Sequence, residues 1–317
     1  MALDQDAQQV LAQLGQAVPG GLHKVPLDQL RSIWDEMAAA GSPGPEVAKT
    51  EDRVLEGPRG DIPIRTYWPT DDEHLPVLVW FHGGAFAFGS IDAADSTCRE
   101  LAVTSGAAVV SVGYRLAPEN KFPAGVEDCF AVVEWIGKNG AILGLDSDRI
   151  AVGGDSSGAT LAAVVSQMWR DSIGPRLAFQ LLVYPTTLMR VSSYEYVSDP
   201  VVPVGMTNHF WGLYVEEDAD FASPLCAPLN ATDLTELPPA FVIIPEEDST
   251  RADQERYAAE LASAGVLTTA KVYPGTPHGF FTLAGAIEKG REAVDDAGRA
   301  LKAAFAASKS CTNSGLA

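Results

Sequence analysis

The segment 153–159 reads GGDSSGA and contains two adjacent serines, Ser156 and Ser157, either of which could supply a nucleophile. A G-x-S-x-G pattern fits only Ser156, with Gly154 two residues before it and Gly158 two residues after it. A sharp strand-to-helix turn forces the nucleophile into strained backbone space and leaves no room for side chains at those flanking positions. We therefore predict that Ser156 is a nucleophile at such a turn.

A serine hydroxyl needs a base to accept its proton and an acid to orient that base. In proteins with this nucleophile turn, the chain order is serine, acid, histidine. Only His209 and His278 follow Ser156 along the chain. We predict His278 as the base because it lies in the loop after the last predicted strand, whereas His209 precedes every acid candidate.

The acid is expected where the apolar run AFVIIP ends, and four carboxylates compete there: Glu246, Glu247, Asp248 and Asp253. Asp248 is favoured because it falls just before the helical pattern that starts near Thr250, and Glu247 is the alternative. A competing interpretation makes Asp248 the N-cap of that helix, since aspartate is common at N-caps.

Acyl transfer by a serine also needs backbone N–H groups directed at the oxyanion that develops on the substrate. The sequence WFHGGAFAFG at 80–89 follows an apolar run, and its glycines would let the backbone approach a substrate carbonyl closely. We predict the N–H groups of Gly83, Gly84 and Ser157 as the donors. Two further residues are expected to support the site rather than react: His82, through hydrogen bonding in the loop, and Asp155.

Short β-rich runs alternate with longer helical patterns along most of the chain. Near-continuous apolar runs of this kind are typical of strands that are covered by helices on both faces. The predicted strands lie at 76–84, 107–115, 148–156, 178–185, 240–248 and 268–275. The predicted helices lie at 94–106, 124–140, 157–171, 249–265 and 287–307. This order predicts an α/β fold with a mostly parallel, doubly wound sheet.

Composition argues against several function classes. The formal net charge of -20 over 317 residues makes contact with phosphate backbones or anionic lipid unfavourable, so neither nucleic acid nor a membrane is an expected partner. The start of the chain does not resemble a secretory signal, and no apolar run is long enough to span a bilayer. Four widely spaced cysteines argue for reduced thiols rather than a disulfide or zinc framework: Cys98, Cys129, Cys226 and Cys311. We expect a cytoplasmic protein without a metal or cofactor.

With these motifs in view, the chain resembles the bacterial hormone-sensitive-lipase family of α/β-hydrolase carboxylesterases over nearly its whole length. HGGAFAFG is similar to the HGGG block of that family, YRLAPENKFPAGVED at 114–128 to its YRLAPE block, and GDSSGA to its GDSAGG block. EEDSTRADQERYAAEL at 246–261 is similar to a block that usually reads D-P-L-R-D-E, and HGF at 278–280 to the block that carries the base. The resemblance implies the same triad and the same three oxyanion donors.

The chain departs from these blocks at a few positions. Ala85 replaces the last glycine of HGGG and adds a methyl group at the pocket floor. Ser157 replaces the usual alanine but keeps its backbone N–H. Ser249 and Thr250 replace the proline and leucine that usually follow the acid.

The resemblance also implies a helical cap over the pocket, formed by two stretches that interrupt the strand and helix alternation. The implied organisation is a cap segment at 1–50, a catalytic core at 51–185 and 228–308, a cap insertion at 186–227, and a tail at 309–317. Pocket-wall candidates are Phe86, Phe88, Tyr194, Met206, His209, Phe210 and Trp211. Because relatives often pair through the last strand and helix, the resemblance makes a homodimer plausible.

Together, the motifs and the resemblance predict a carboxylic-ester hydrolase that acts through an acyl-enzyme on short to medium acyl or aryl esters. The sequence identifies the nucleophile but not the leaving group, so acyl transfer and amide or carbamate hydrolysis on the same triad stay open as alternatives. A non-catalytic binding protein is the other class, because plant relatives of this fold include a hormone receptor that has lost the catalytic histidine. His278 is present here.

Overall fold

The computed structural model describes residues 3–18, 20–172, 176–188 and 204–313, with side chains for all of these except 204, 205, 218, 219 and 309–313. Within these ranges the strands are β1 Lys49–Gly57, β2 Gly60–Trp68, β3 Leu75–Phe81, β4 Ala108–Val112, β5 Leu145–Asp155, β6 Phe179–Val183, β7 Ala240–Glu247 and β8 Thr268–Pro277. The α-helices are α1 Gln5–Ala17, α2 Leu27–Ala40, α3 Asp95–Ser105, α4 Ala124–Asn139, α5 Ser157–Arg170, α6 Val204–Tyr214, α7 Arg251–Ser263 and α8 Glu288–Asn313. Short 3-10 helices lie at Leu22–Lys24, Gly140–Leu143, Asp218–Ala222, Pro228–Asn230 and Phe280–Leu283.

The strands form a single sheet in the order β1-β2-β4-β3-β5-β6-β7-β8. Strands β3 to β8 pair in parallel, whereas β2 runs antiparallel to both β1 and β4. Each predicted strand and helix is present, with ends that differ by a few residues. The predicted α/β fold with a mostly parallel sheet is therefore confirmed.

Helices cover both faces of this sheet, which is why its central strands are mostly apolar, with a few buried polar residues such as Ser111 and Gln180. Along β3, Val77, Val79 and Phe81 pack into one core cluster with side chains of α4, α5 and α7. Leu78 and Trp80, which alternate with them, pack into a second cluster with side chains of α3 and α8. Successive strand residues point to opposite faces, so both faces are buried and the sheet is doubly wound.

Two parts of the fold differ from the sequence predictions. The hairpin of β1 and β2 was not predicted, because β1 lies at the sheet edge and only Leu55 among its residues is buried. Its sequence KTEDRVLEG therefore lacks an apolar run. The last helix continues to Asn313, past the predicted end at residue 307, so residues 309–313 of the predicted tail are helical. No glycine or proline lies between residue 307 and Gly315, so nothing in the sequence forces the helix to end earlier.

The N-terminal segment packs against the loop after β3 and against α6. A third apolar cluster joins these three parts of the chain: Val18, Leu22, Leu30, Ala87, Phe88, Met206 and Phe210. Since the loop after β3 starts at the carboxyl end of the parallel strands, this cluster lies over the edge where ligands bind in folds of this kind. Among the described helices, none is sufficiently long and apolar to cross a lipid bilayer.

Candidate active site

Ser156 occupies a sharp turn between β5 and α5. Its φ of 52° lies in the left-handed region that residues with side chains rarely adopt. A Cβ atom at Gly154 or Gly158 would overlap the carbonyl oxygen of Phe81 on the neighbouring β3. The glycines of the G-x-S-x-G pattern are therefore required by the close approach of the turn to β3, which is the reason that the sequence pattern predicted.

Ser156, His278 and Asp248 form one chain of hydrogen bonds at the carboxyl ends of β5, β8 and β7. The Ser156 Oγ lies 2.9 Å from His278 Nε2, and His278 Nδ1 lies 2.7 Å from Asp248 Oδ2. Because Asp248 is an ionised acceptor, His278 carries its proton on Nδ1 and leaves Nε2 free to accept the serine proton. The structure thus brings together the three residues that the sequence selected from distant segments.

The carboxylate of Asp248 is buried and accepts several hydrogen bonds. The Thr250 N–H and the Thr250 hydroxyl both donate to Oδ1 at 2.7 Å. The Gln254 amide donates to Oδ2 at 2.9 Å, beside the bond from His278. Burial alone would raise the pKa of Asp248, but the charge of His278 and the hydrogen bonds from His278 and Thr250 outweigh it and hold this pKa below its ordinary value.

The competing carboxylates have other positions. Glu247 is the last residue of β7, and the structure places Asp248, the next residue, against His278. Glu246 Oε2 accepts a hydrogen bond from the Gly275 N–H at 2.9 Å. The N-cap of α7 is Thr250, so Asp248 does not cap that helix.

The loop after β3 corrects one predicted oxyanion donor. The Gly83 N–H donates to Asp155 Oδ1 at 2.9 Å, so it is already engaged and the prediction for Gly83 is wrong. In the described part of the chain, neither the Gly84 N–H nor the Ala85 N–H donates to a protein acceptor. Ser157 is the first residue of α5, where N–H groups have no acceptor within the helix. Gly84, Ala85 and Ser157 therefore have N–H groups that no protein acceptor in the described part of the chain occupies.

His82 and Asp155 both form hydrogen bonds with Gly83 of this loop. His82 Nδ1 donates to the Gly83 carbonyl at 2.7 Å, and its ring stacks on Tyr114 at a centroid distance of 4.4 Å. Burial lowers the pKa of His82 to about 4, so the ring is neutral at pH 7. Burial also raises the pKa of Asp155 to about 6, although the bond from Gly83 opposes that shift.

A cavity of about 1040 Å³ extends from Ser156 towards the N-terminal helices. Five of the pocket-wall candidates line it: Phe86, Phe88, Met206, Phe210 and Trp211. His209 does not, since it is exposed on α6 and its ring lies 6.3 Å from the ring of His23. The buried face of α6 carries Met206 and Phe210 one turn apart, and His209 points away from that face. Tyr194 lies outside the described residues.

Several site residues were missed by the sequence reasoning. Trp34 of α2 lines the cavity, and the Tyr184 ring lies 4.6 Å from the ring of His278. Tyr184 directly follows β6, a position that could have indicated its place beside the site. Thr250 and Gln254 were not identified as partners of Asp248, because helical spacing alone does not show that their side chains turn towards the preceding loop.

One face of α2 holds the loop after β3. Arg31 donates to the Ala87 carbonyl and to the Ala117 carbonyl, both at 2.9 Å, and forms a bidentate ion pair with Glu119 at 2.8 Å. One turn further along α2, the Trp34 ring packs edge-on against Phe88 at 5.0 Å. Ser90 donates to Asp35 at 2.7 Å. The N-terminal segment thus contacts the same loop that carries Gly84 and Ala85.

Comparison with known proteins finds relatives that cover most of the chain. Residues 78–282 match a family described as having the alpha/beta hydrolase fold. The esterase LipI of Mycobacterium tuberculosis is 41% identical over 252 residues, which cover 77% of this chain and 78% of that protein. The arylesterase of Saccharolobus solfataricus is 34% identical over 264 residues, which cover 81% of this chain and 85% of that protein.

Solved structures agree over a still larger part of the chain. The hyperthermophilic esterase from the archaeon Pyrobaculum calidifontis has a TM-score of 0.89 and 37% sequence identity, covering 96% of this chain and 99% of that one. The similarity therefore extends over nearly the whole length of both chains.

Proposed function

This chain belongs to the alpha/beta hydrolase fold family, and on that premise we propose that it is a serine carboxylesterase that hydrolyses carboxylic esters through an acyl-enzyme. The predicted resemblance to bacterial esterases of this family is confirmed. The observation that carries the proposal is the continuous hydrogen-bond chain from Ser156 through His278 to Asp248, beside a largely apolar cavity.

In the acylation step, His278 Nε2 accepts the proton of the Ser156 hydroxyl while Oγ attacks the ester carbonyl carbon. Asp248 stabilises the imidazolium that forms and holds its Nδ1–H. The tetrahedral intermediate collapses by breaking the bond to the alcohol oxygen, and the departing alcohol takes the proton from Nε2. The acyl group stays on Ser156 as an ester.

In the deacylation step, His278 removes a proton from a water molecule, which attacks the acyl carbon. The second intermediate collapses to release the carboxylic acid, and Ser156 recovers its proton from Nε2. In both steps the negative oxygen is held by the N–H groups of Gly84, Ala85 and Ser157, which are fixed before the reaction by the loop and the helix start.

The largely apolar lining favours uncharged acyl and aryl esters. Phe86, Phe210 and Trp211 contribute aromatic surface to the cavity. One relative is named an arylesterase, which supports substrates with aryl alcohols. We propose short to medium acyl esters as the substrate class, with the N-terminal helices and α6 acting as the cap.

We also propose a cytoplasmic location and a homodimeric assembly for this protein. Three buried free thiols, Cys98, Cys129 and Cys226, are consistent with a reducing compartment such as the cytoplasm. A homodimer is proposed from the resemblance alone.

Three assays test the function: hydrolysis of p-nitrophenyl butyrate, hydrolysis of the corresponding p-nitroanilide, and reaction of the ester with added alcohol acceptors. We expect ester hydrolysis to dominate and a fluorophosphonate to label the protein once per chain. Dominant anilide cleavage or alcohol-dependent transfer would replace the esterase assignment by an amidase or acyltransferase. Absence of both turnover and labelling would leave a binding protein.

The Gly84→Ala variant should test how much the oxyanion donors contribute to kcat without substituting a residue of the triad. An added Cβ would overlap the Phe88 carbonyl, so the loop would have to move and displace the N–H groups of Gly84 and Ala85. We expect kcat for p-nitrophenyl butyrate to fall about 10²- to 10³-fold, the usual cost of losing an oxyanion donor. Gly15→Ala on α1, where a Cβ meets nothing within 4 Å, is the matched control and should retain kcat.

Replacing Arg31 with methionine tests whether α2 positions the loop. The variant keeps an apolar stem but loses the bonds to Ala87 and Ala117, and we expect kcat to fall about 10-fold or more with little change in KM, since small displacements of reacting groups are costly. Arg256→Met removes an exposed ion pair with Glu260 on α7 and serves as the control. Equal kcat values for the two variants would show that α2 does not position the donors.

A further inference from the structure

The acceptor positions of the Asp248 carboxylate are filled by four donors, two on each oxygen. Oδ1 accepts the Thr250 N–H and the Thr250 hydroxyl. Oδ2 accepts His278 Nδ1–H and the Gln254 amide. Two of these donors, the Thr250 hydroxyl and the Gln254 amide, belong to side chains that lie one helical turn apart.

The direction of each bond follows from chemistry. A carboxylate only accepts, so the side of the Gln254 amide that faces Asp248 must be its NH₂ group. One amide hydrogen goes to Asp248 Oδ2 at 2.9 Å and the other to Thr250 Oγ1 at 2.7 Å. The Thr250 hydroxyl hydrogen is then directed to Asp248 Oδ1 at 2.7 Å. The three side chains close a ring of hydrogen bonds, and each hydrogen in it has a defined acceptor.

Stability alone does not explain Gln254. Its side chain is fully buried, and its Oε1 has no hydrogen-bond partner among the described residues. A buried carbonyl oxygen without a donor destabilises a fold, and an apolar side chain of similar size would avoid that cost. The NH₂ end of the same group is fully used on Asp248 and Thr250. The Gln254 side chain is therefore placed to donate to the Asp248 carboxylate and not to stabilise the fold alone.

We propose that Gln254, together with the Thr250 hydroxyl, is a positioning residue that fixes the plane of the Asp248 carboxylate so that Oδ2 faces His278 Nδ1. This inference rests on the proposed hydrolase function, in which Asp248 orients the base. Without the ring, the carboxylate would keep only the Thr250 N–H on one oxygen and His278 on the other, and it could rotate away from the line between His278 and Ser156.

The principal test compares Gln254→Met with Gln180→Met. Gln180 is also fully buried, also has an unpartnered Oε1 in the described structure, and donates to the Pro238 carbonyl near the amino end of β6, away from the site. We expect Gln254→Met to lower kcat about tenfold, as for the loss of one hydrogen bond to a charged group, with KM little changed. The loss leaves more negative charge facing His278, so the acid limb of the kcat/KM profile should move to higher pH. Gln180→Met should keep both kcat and the profile.

Two further variants separate positioning from folding. Thr250→Val should lower kcat to a similar extent, while Thr250→Ser, which keeps the hydroxyl, should restore it. Gln254→Glu places a second carboxylate beside Asp248, so its loss of kcat should grow as pH rises and that group ionises.

The Nδ1–H proton resonance of His278 gives a readout that does not need turnover. We expect its chemical shift and exchange rate to change in Gln254→Met and to stay constant in Gln180→Met. The inference is overturned if Gln254→Met and Gln180→Met share kcat, pH profile and resonance and differ only in melting temperature. Failure of the proposed function is a separate result, namely a wild-type protein that neither hydrolyses esters nor reacts with a fluorophosphonate.

Discussion

Ser156→Ala should reduce kcat/KM for p-nitrophenyl butyrate by roughly 10⁴- to 10⁶-fold, the range found when a triad serine is removed. The alanine has no group that can form the acyl-enzyme, while the backbone turn and its flanking glycines stay unchanged. Steady-state assays measure the loss, and mass spectrometry after fluorophosphonate treatment should find the label on Ser156 in the wild type and no label in the variant.

The adjacent serine provides the matched control. Ser157→Ala keeps the backbone N–H at the start of α5 and removes only a hydroxyl that lies outside the hydrogen-bond chain from Ser156 to Asp248. We expect its kcat/KM to stay within about threefold of the wild type, since its N–H donor to the oxyanion is retained. Phosphorus found on Ser157, or loss of turnover in Ser157→Ala with retention in Ser156→Ala, would reverse the assignment.

Asp248→Asn should lower kcat by about 10⁴-fold, because it places histidine in the wrong tautomer. The Thr250 N–H is a fixed backbone donor to Oδ1, so the asparagine must keep its carbonyl oxygen there and turn its NH₂ towards His278. Nδ1 then has to accept, and the proton moves to Nε2, which faces Ser156. An Nε2 that already carries a proton cannot accept one from the serine.

Glu247→Gln is the control for this variant, since it neutralises the neighbouring carboxylate that the sequence left as the alternative acid. We expect it to retain wild-type kcat between pH 6 and 8. The opposite pattern, with Glu247→Gln inactive and Asp248→Asn active, would make Glu247 the acid. The Nδ1–H resonance of His278 should disappear in Asp248→Asn and persist in Glu247→Gln.

Local chain geometry explains why much of the site was predictable. The glycines around Ser156 indicate the turn directly, because a side chain at Gly154 or Gly158 would clash with the carbonyl oxygen of Phe81 on the adjacent strand. Chain order predicts His278 as the base and an acid at the end of β7, where Asp248 was favoured over Glu247, since each parallel strand delivers its next loop to the same edge of the sheet. The central strands were predictable because their burial on both faces favours near-continuous runs of apolar residues.

Long-range contacts decided what the sequence could not. Gly83 and Gly84 look equivalent in the sequence, yet Asp155, 72 residues further on, accepts the Gly83 N–H, whereas the N–H groups of Gly84 and Ala85 have no protein acceptor in the described part of the chain. The exposure of His209 depends on which face α6 turns to the cavity.

The sequence by itself determined the fold class and predicted the nucleophile, the base and a favoured acid, Asp248, with Glu247 as the alternative, because short spacings and strand order carry that information. Only the tertiary structure decided which N–H groups are free, how Arg31 reaches the loop after β3, and how Gln254 and Thr250 surround Asp248. The physical reason is that a hydrogen bond depends on the direction and competition of all neighbouring groups, and segments far apart in the chain supply most of them.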